Sequence, residues 1–239
     1  MNLIFDFGNS QAKIARFDDG LMLDKHTFPV FDEDGIQKTI SSFQEIERAI
    51  VSNVGKDSTF LNFPFPVLVL NSETSIPFSL EYQTPKTLGM DRIALAAAAA
   101  KIYPKQNCLI IDSGTCVTYD FIDENSVYHG GGIAPGLEMR LKSLPHFTAK
   151  LPLIEKSKHF NLIGQSTEES ILSGTIGGFK REVEATIEAY KSRYPSLITI
   201  ITGGDANQFD YLLKNSIFAA PDFLLTGLNH ILEYNAERL

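Results

Sequence analysis

The chain has 239 residues, 44% of them apolar, with a formal net charge of −8 and a pI of about 5.1. That length suffices for one large domain or two small ones with a sizeable core. The acidic balance, with no Lys/Arg run, argues against a nucleic-acid backbone as the main partner. The longest apolar stretch, Ile93 to Ala100, is too short to span a bilayer. Residues 1–10 carry neither a basic start nor a long apolar run, so no signal peptide is expected. The chain reads as a soluble cytoplasmic protein with no membrane partner. Its two cysteines, Cys108 and Cys116, flank one turn and are expected as reduced thiols.

Residues 2–7 and 11–17 predict two strands joined by Gly8-Asn9-Ser10, and GLMLDKHTFPV continues as a third. FQEIERAIVSNV reads as a short helix feeding a strand, and FPVLVLN as another strand. MDRIALAAAAAKIYP is a strong helix, Ala-rich, apolar nearly all round and stopped at Pro104. Such a helix is buried between layers. NCLIIDSGTCVTYDFI forms a second hairpin, with SVYHGGGIAPG returning behind it. A long helix runs from about Thr167 to Tyr194. LITIITGG is a buried strand, DANQFDYLLKN a helix and GLNHILEYNAE a closing helix.

Hairpins followed by helices, done twice, indicate an α/β duplication. Asp6-Phe7-Gly8-Asn9-Ser10 and Asp112-Ser113-Gly114-Thr115 occupy equivalent turns, 106 residues apart. The break is placed in the polar stretch IYPKQN, giving domains 1–104 and 105–239.

A turn of form Asp-x-Gly-(Asn/Thr) has a physical use. Gly8 and Gly114 let backbone N–H groups point at an anion, and Asn9, Ser10 and Thr115 add side-chain donors. The Asp repels phosphate but can hold a cation, or waters on a cation, that phosphate also binds. Asp-x-Gly is also a common structural turn. Two copies in matching hairpins, with ITGGDA at the end of a third strand, are hard to ascribe to chance. There Gly203 and Gly204 can admit a flat base, while Asp205 can serve as an N-cap. Lys13 can reach a phosphate or sit solvated on its strand. The P-loop, the dinucleotide fingerprint, the protein-kinase signatures and the Gly-x-Ser-x-Gly elbow are absent. The histidines show no metal-ligand spacing.

YQTPKTLGMDRIALAAAAA puts Asp91 and Arg92 in the first turn of the buried helix, just after Gly89. Asp91 there favours the positive helix end. It is also placed to take a proton from a hydroxyl, and the Arg92 fork to bind a substrate carboxylate. In GQSTEESILSG, Ser166 with Glu169 fits a capping box, and Thr167 can present its hydroxyl to a ligand.

The paired Asp-x-Gly hairpins resemble the acetate and sugar kinase, Hsp70 and actin superfamily. Within it, the order of DFGNSQAK, YQTPKTLGMDR, IIDSGTCVTYD, GGGIAPGLEM, TAKLP, GQSTEESILSG, TGGDA and PDFLLTGLN resembles the type III pantothenate kinases nearly end to end. The resemblance implies an α/β fold of two RNase H-like domains with an ATP cleft. It implies ATP-dependent phosphorylation of pantothenate to 4′-phosphopantothenate, the first step of coenzyme A synthesis. By position, the ATP loop is Asp6, Phe7, Gly8, Asn9, Ser10, Gln11, Ala12 and Lys13, with Asp6 near Mg²⁺ and Thr115 also on ATP. Asp112 corresponds to the ligand of a monovalent cation, K⁺ or NH₄⁺. Asp91 corresponds to the general base, and Tyr82, Gly89, Met90, Asp91, Arg92 and Thr167 to the pantothenate site. A homodimer with its pocket completed across the interface is implied as well. Where the family usually has Asn-Thr this chain has Asn9-Ser10, which keeps the hydroxyl. Cys116 and Met90 stand where alanine is usual, and Met90 can narrow the pocket. The alternatives are a small-sugar kinase of the same fold and a catalytically silent regulator. The presence of Asp6, Asp91, Arg92 and Asp112 speaks against the latter.

Overall fold

A computed structural model describes residues 1–8, 11–29, 32–53, 63–212 and 217–238. In chain order its first half has strands β1 (Asn2–Phe7), β2 (Gln11–Asp18) and β3 (Leu21–Pro29), helix α1 (Glu33–Ser42), strands β4 (Arg48–Asn53), β5 (Val67–Val69) and β6 (Ser79–Leu80), and helix α2 (Met90–Ile102). The second half has strands β7 (Cys108–Ser113), β8 (Cys116–Ile122) and β9 (Val127–Pro135), and helices α3 (Leu137–Phe147), α4 (Thr167–Leu172) and α5 (Gly178–Arg193). Strands β10 (Ile198–Thr202) and β11 (Ile217–Ala219) and helix α6 (Phe223–Tyr234) complete it.

These elements pack as two compact units, one of Met1–Pro104, Ser126–Tyr128 and Asp222–Leu239, the other of Lys105–Asn125 and His129–Pro221. The chain leaves the first unit after Pro104, inside the polar stretch 102–107, and returns to it twice. By packing, residues 126–128 and 222–239 thus go with the first unit. Among the described residues no helix is long and apolar enough to cross a membrane.

In the first unit the sheet order is β3-β2-β1-β4-β5, antiparallel across β2 and parallel from β1 to β4 to β5. Strand β1 is buried along its whole length, so both of its faces are covered. Leu3, Phe5 and Phe7 form one core with Ala12, Ile14, Ala49 and Val51, capped by Ile36 and Ile40 of α1. The other face lies under α2 and α6. Gly227 of α6 permits the close packing on α2, because a Cβ there would fall 1.8 Å from the Ala94 carbonyl oxygen.

The helix expected over FQEIERAIVSNV is not there; a helix lies one step earlier, over Glu33–Ser42. Asp32 caps that helix by accepting from the Gly35 N–H at 3.0 Å, and Ile36 and Ile40, four apart, anchor its buried face. The helical pattern after it is broken by Glu45, at φ 60°, and the Glu47 N–H donates to the Met1 carbonyl, which leads into β4.

The second unit repeats the order as β9-β8-β7-β10-β11, with β7 antiparallel to β8 and parallel to β10, which is in turn parallel to β11. Its core joins Leu109, Ile111, Val117, Tyr119 and Ile201 to α3 and α5. The expected long helix runs as α4, a π-helical turn over Ser173–Gly177, and α5. DANQFDYLLKN forms a 3₁₀ helix over Ala206–Leu212, and α3 is an additional helix. Cys108 and Cys116 are free thiols, and burial pushes the Cys108 thiol up to about 12.

Candidate active site

Asp6 and Asp112 hold the same place in the two sheets, one residue before the end of the central strand. Asp6 pairs across the ladder with Lys13 and Ser52, and Asp112 with Thr118 and Thr202. Each hairpin is closed by its glycine: the Gly8 N–H donates to the Gln11 carbonyl at 3.0 Å, and the Gly114 N–H to the Cys116 carbonyl at 2.9 Å. Asn9 and Ser10 lie outside the described residues.

In the first unit, period-two alternation sorts the segment 6–13. Phe7 and Ala12 point into the core beneath α1, so only their backbone can serve a ligand. Gln11 is exposed. Asp6 and Lys13 share the opposite face, with Lys13 Nζ 3.9 Å from Asp6 Oδ2. Asp6 is 6% exposed. Burial pushes its carboxyl up to about 6; Lys13 pulls it down, and the charge of Asp91 adds to the rise. Asp91 therefore lies close enough for its charge to be felt at Asp6.

Asp91 stands in the first turn of α2, whose N-cap is Gly89. No side chain caps this helix from Gly89; instead Asp91 Oδ1 accepts from the Arg92 N–H at 2.8 Å. Gly89 leaves the space for it: a Cβ there would lie 2.3 Å from Asp91 Oδ1. Met90 and Tyr82 are half-buried beside this turn in sequence and space respectively. Arg92 is 5% exposed, and its guanidinium carbon lies 5.9 Å from the ring centre of Tyr82 and 6.0 Å from that of Tyr128. Two electron-rich ring faces offset part of the cost of burying that cation. The first unit thus brings Asp6, Lys13, Tyr82, Gly89, Met90, Asp91 and Arg92 into one region.

The second unit holds Asp112, Thr115 and Thr167. The counterpart of Lys13 here is Thr118, whose hydroxyl donates to Asp120 at 2.8 Å. Thr115 is exposed at the hairpin tip, where its carbonyl accepts from the Gly136 N–H at 3.1 Å. The ITGGDA turn packs on the same hairpin. Gly203 has φ +91°, and a Cβ on it would lie 2.3 Å from Asp112 Oδ1, so glycine is required by both conformation and space. Around Gly204 the space is open. Asp205 stands just before the 3₁₀ helix over Ala206–Leu212, where the sequence places it, and its carbonyl accepts from the Gln208 N–H at 2.9 Å. Its N–H donates to the Ser113 carbonyl at 2.8 Å, and its carboxylate takes Lys156 Nζ at 2.9 and 3.2 Å. Burial works against the Lys156 ammonium, but Asp205 and Glu138 outweigh it and its pKa rises. Thr167 is exposed as the first residue of α4, beside the cap formed by Ser166, which accepts from the Glu169 N–H at 3.1 Å. Glu169 in turn accepts from the Gln165 N–H rather than from that of Ser166.

Tyr128 and Lys156 carry no signal in the sequence. Tyr128 looks like any buried strand aromatic, and Lys156 sits in a segment without regular structure.

A family model described as type III pantothenate kinase matches residues 2–189. A type III pantothenate kinase of Christiangramia forsetii is 48% identical over 240 residues, covering 98% of this chain and 99% of that one. One of Flavobacterium johnsoniae is 41% identical over 242 residues, covering 99% of each. Among solved structures, a glucokinase from an Antarctic psychrotroph superposes with a TM-score of 0.53 at 14% identity, covering 98% of each chain. The fold is that of the two-domain actin-like ATPases and sugar kinases. The chain belongs to the type III pantothenate kinases, which use ATP to phosphorylate pantothenate in coenzyme A biosynthesis.

Proposed function

We propose that Asp91 is the general base of this kinase, taking the proton of the pantothenate hydroxyl as that oxygen attacks the γ-phosphorus of ATP. The observation that carries this is the pinned carboxylate. Oδ1 is occupied by the Arg92 N–H, which leaves Oδ2 to meet the hydroxyl. The Arg92 fork binds the pantothenate carboxylate, with Tyr82 and Thr167 as further contacts and Gly89 and Met90 shaping the wall. The chain works as a homodimer in the cytoplasm.

The kinase family uses ATP and a divalent metal. Mg²⁺ keeps several waters and binds through one or two carboxylates plus substrate phosphates. A single buried carboxylate, Asp6, facing Lys13 fits that donor set. When bound, the metal supplies charge neutralisation on the phosphates. Lys13 and the Gly8 turn orient the same phosphates, and Thr115 contacts the nucleotide from the second hairpin. Asp112, beside the Gly203 backbone, offers a hard oxygen donor to K⁺ or NH₄⁺. Phosphoryl transfer needs positioning and charge stabilisation more than covalent chemistry, and these groups provide both.

Two assays test the reading. Asp91→Asn should lower steady-state kcat by about 10²–10⁴-fold with the fold intact; wild-type turnover would remove Asp91 from its role. Replacing potassium with sodium should depress ADP release, and Asp112→Asn should abolish that sensitivity. Turnover indifferent to the cation would discard the role given to Asp112.

A further inference from the structure

Tyr128 enters the first unit from the far half of the sequence. It is fully buried, and its two-residue stretch Val127–Tyr128 pairs in parallel with Ser79–Leu80. The Ser79 N–H donates to the Ser126 carbonyl and the Glu81 N–H to the Tyr128 carbonyl, each at 2.9 Å. This short ladder ends one residue before Tyr82, so it fixes where Tyr82 leaves the backbone. The ring of Tyr128 then lies 6.1 Å from that of Tyr82 and 6.3 Å from that of Phe78. The Arg92 guanidinium carbon sits about equally far from the two tyrosine rings, at 5.9 and 6.0 Å.

We propose that Tyr128 is a positioning residue for acceptor recognition: its backbone places Tyr82 and its ring face holds the Arg92 fork in the orientation that meets the acceptor carboxylate. This rests on the assignment of Tyr82 and Arg92 to the pantothenate site. The physical argument is one of preorganisation. A flexible arginine loses rotamer freedom when it grips a carboxylate, and an arginine already held against two adjoining rings has lost part of it beforehand. A buried cation also needs compensation, and ring faces supply it without neutralising the charge that the acceptor needs. Tyr128→Phe keeps the ring face and should behave like wild type. Tyr128→Leu removes it.

The test compares kcat/KM for pantothenate and for its alcohol analogue, in which the carboxylate is replaced by CH₂OH. Tyr128→Leu should lower kcat/KM for pantothenate about tenfold, mainly through KM, and leave the analogue and the KM for ATP within about twofold. The ratio of the two kcat/KM values does not depend on the active fraction of enzyme, so it is readable even if the variant folds poorly. Tyr128→Met, nearer in length, gives the same comparison from a second side chain. Equal losses for both acceptors, or a loss in Tyr128→Phe as large as in Tyr128→Leu, would overturn the proposal. Arg92→Ala separates the two layers. If Arg92→Ala leaves pantothenate selectivity intact, the site assignment itself fails and the proposal with it. If Arg92→Ala abolishes selectivity and both Tyr128→Leu and Tyr128→Met preserve it, only the role of Tyr128 fails.

Discussion

Gly89→Ala is a single-methyl perturbation whose effect on kcat at saturating substrates should pass chiefly through Asp91. The Gly89 backbone is extended, with φ −60° and ψ 137°, a conformation that alanine adopts freely. The added Cβ would nevertheless stand 2.3 Å from Asp91 Oδ1 and 3.5 Å from its Cγ. The carboxylate must swing by about 1 Å to reach ordinary contact, and a misplacement of that size can cost ~10²-fold in rate. The swing also gives up the Asp91–Arg92 N–H bond, and alanine is a poor N-cap, so a stability loss of about 1 kcal/mol should accompany it. The assay is ADP release at saturating ATP and pantothenate for the wild type, Gly89→Ala, Asp91→Asn and the double variant. Gly89→Ala should lower kcat about 10²-fold in the wild-type background and hardly at all in the Asp91→Asn background, since the two changes act on one group. An undiminished effect of Gly89→Ala in the Asp91→Asn background would refute the argument, because the methyl would then act elsewhere.

Asp6→Asn should trade function for stability. The folded Asp6 carboxyl titrates near 6 against 3.8 unperturbed, so between about pH 4 and 6 the folded state holds more protons than the unfolded one and stability falls as pH rises. At pH 7.5 the full cost, about 3 kcal/mol, is present, and the asparagine variant escapes it. Urea unfolding of the ligand-free protein should therefore show Asp6→Asn as the more stable form at pH 7.5, with the advantage vanishing toward pH 4, while its use of Mg·ATP weakens. A variant no more stable than wild type at pH 7.5 would contradict the burial argument.

What the sequence could show was whatever lies close together along it. The duplicated Asp-x-Gly turn is legible because Asp6 and Asp112 each lie one residue before the end of a strand that hairpins back at once. Asp91 and Arg92 were legible because a helix start concentrates its chemistry in one turn. The early helix was misplaced because Gly35 weakens the pattern of α1, while the apolar spacing of Phe43–Asn53 imitates a helix that Glu45 forbids. Helix α3 was hidden by the glycines before it and by Pro145 inside it. The ion pair of Asp205 with Lys156 is hidden because the two lie 49 residues apart, and Lys156 sits in a segment with no periodicity to announce it. The place of Tyr128 is hidden for the same reason: its contacts with Phe78, Tyr82 and Arg92 come from a two-residue strand pairing that local pattern does not encode.

Rapid-quench measurement of the first turnover tests the role of Asp91 most directly. Enzyme preloaded with pantothenate is mixed with Mg·ATP, and 4′-phosphopantothenate is followed in the wild type and in Asp91→Asn. A general base at Asp91 requires a chemical step slower by about 10²–10⁴-fold in the variant, with pantothenate binding unchanged. A first turnover within a few-fold of wild type would contradict that role and leave Asp91 as no more than an acidic residue in the first turn of α2.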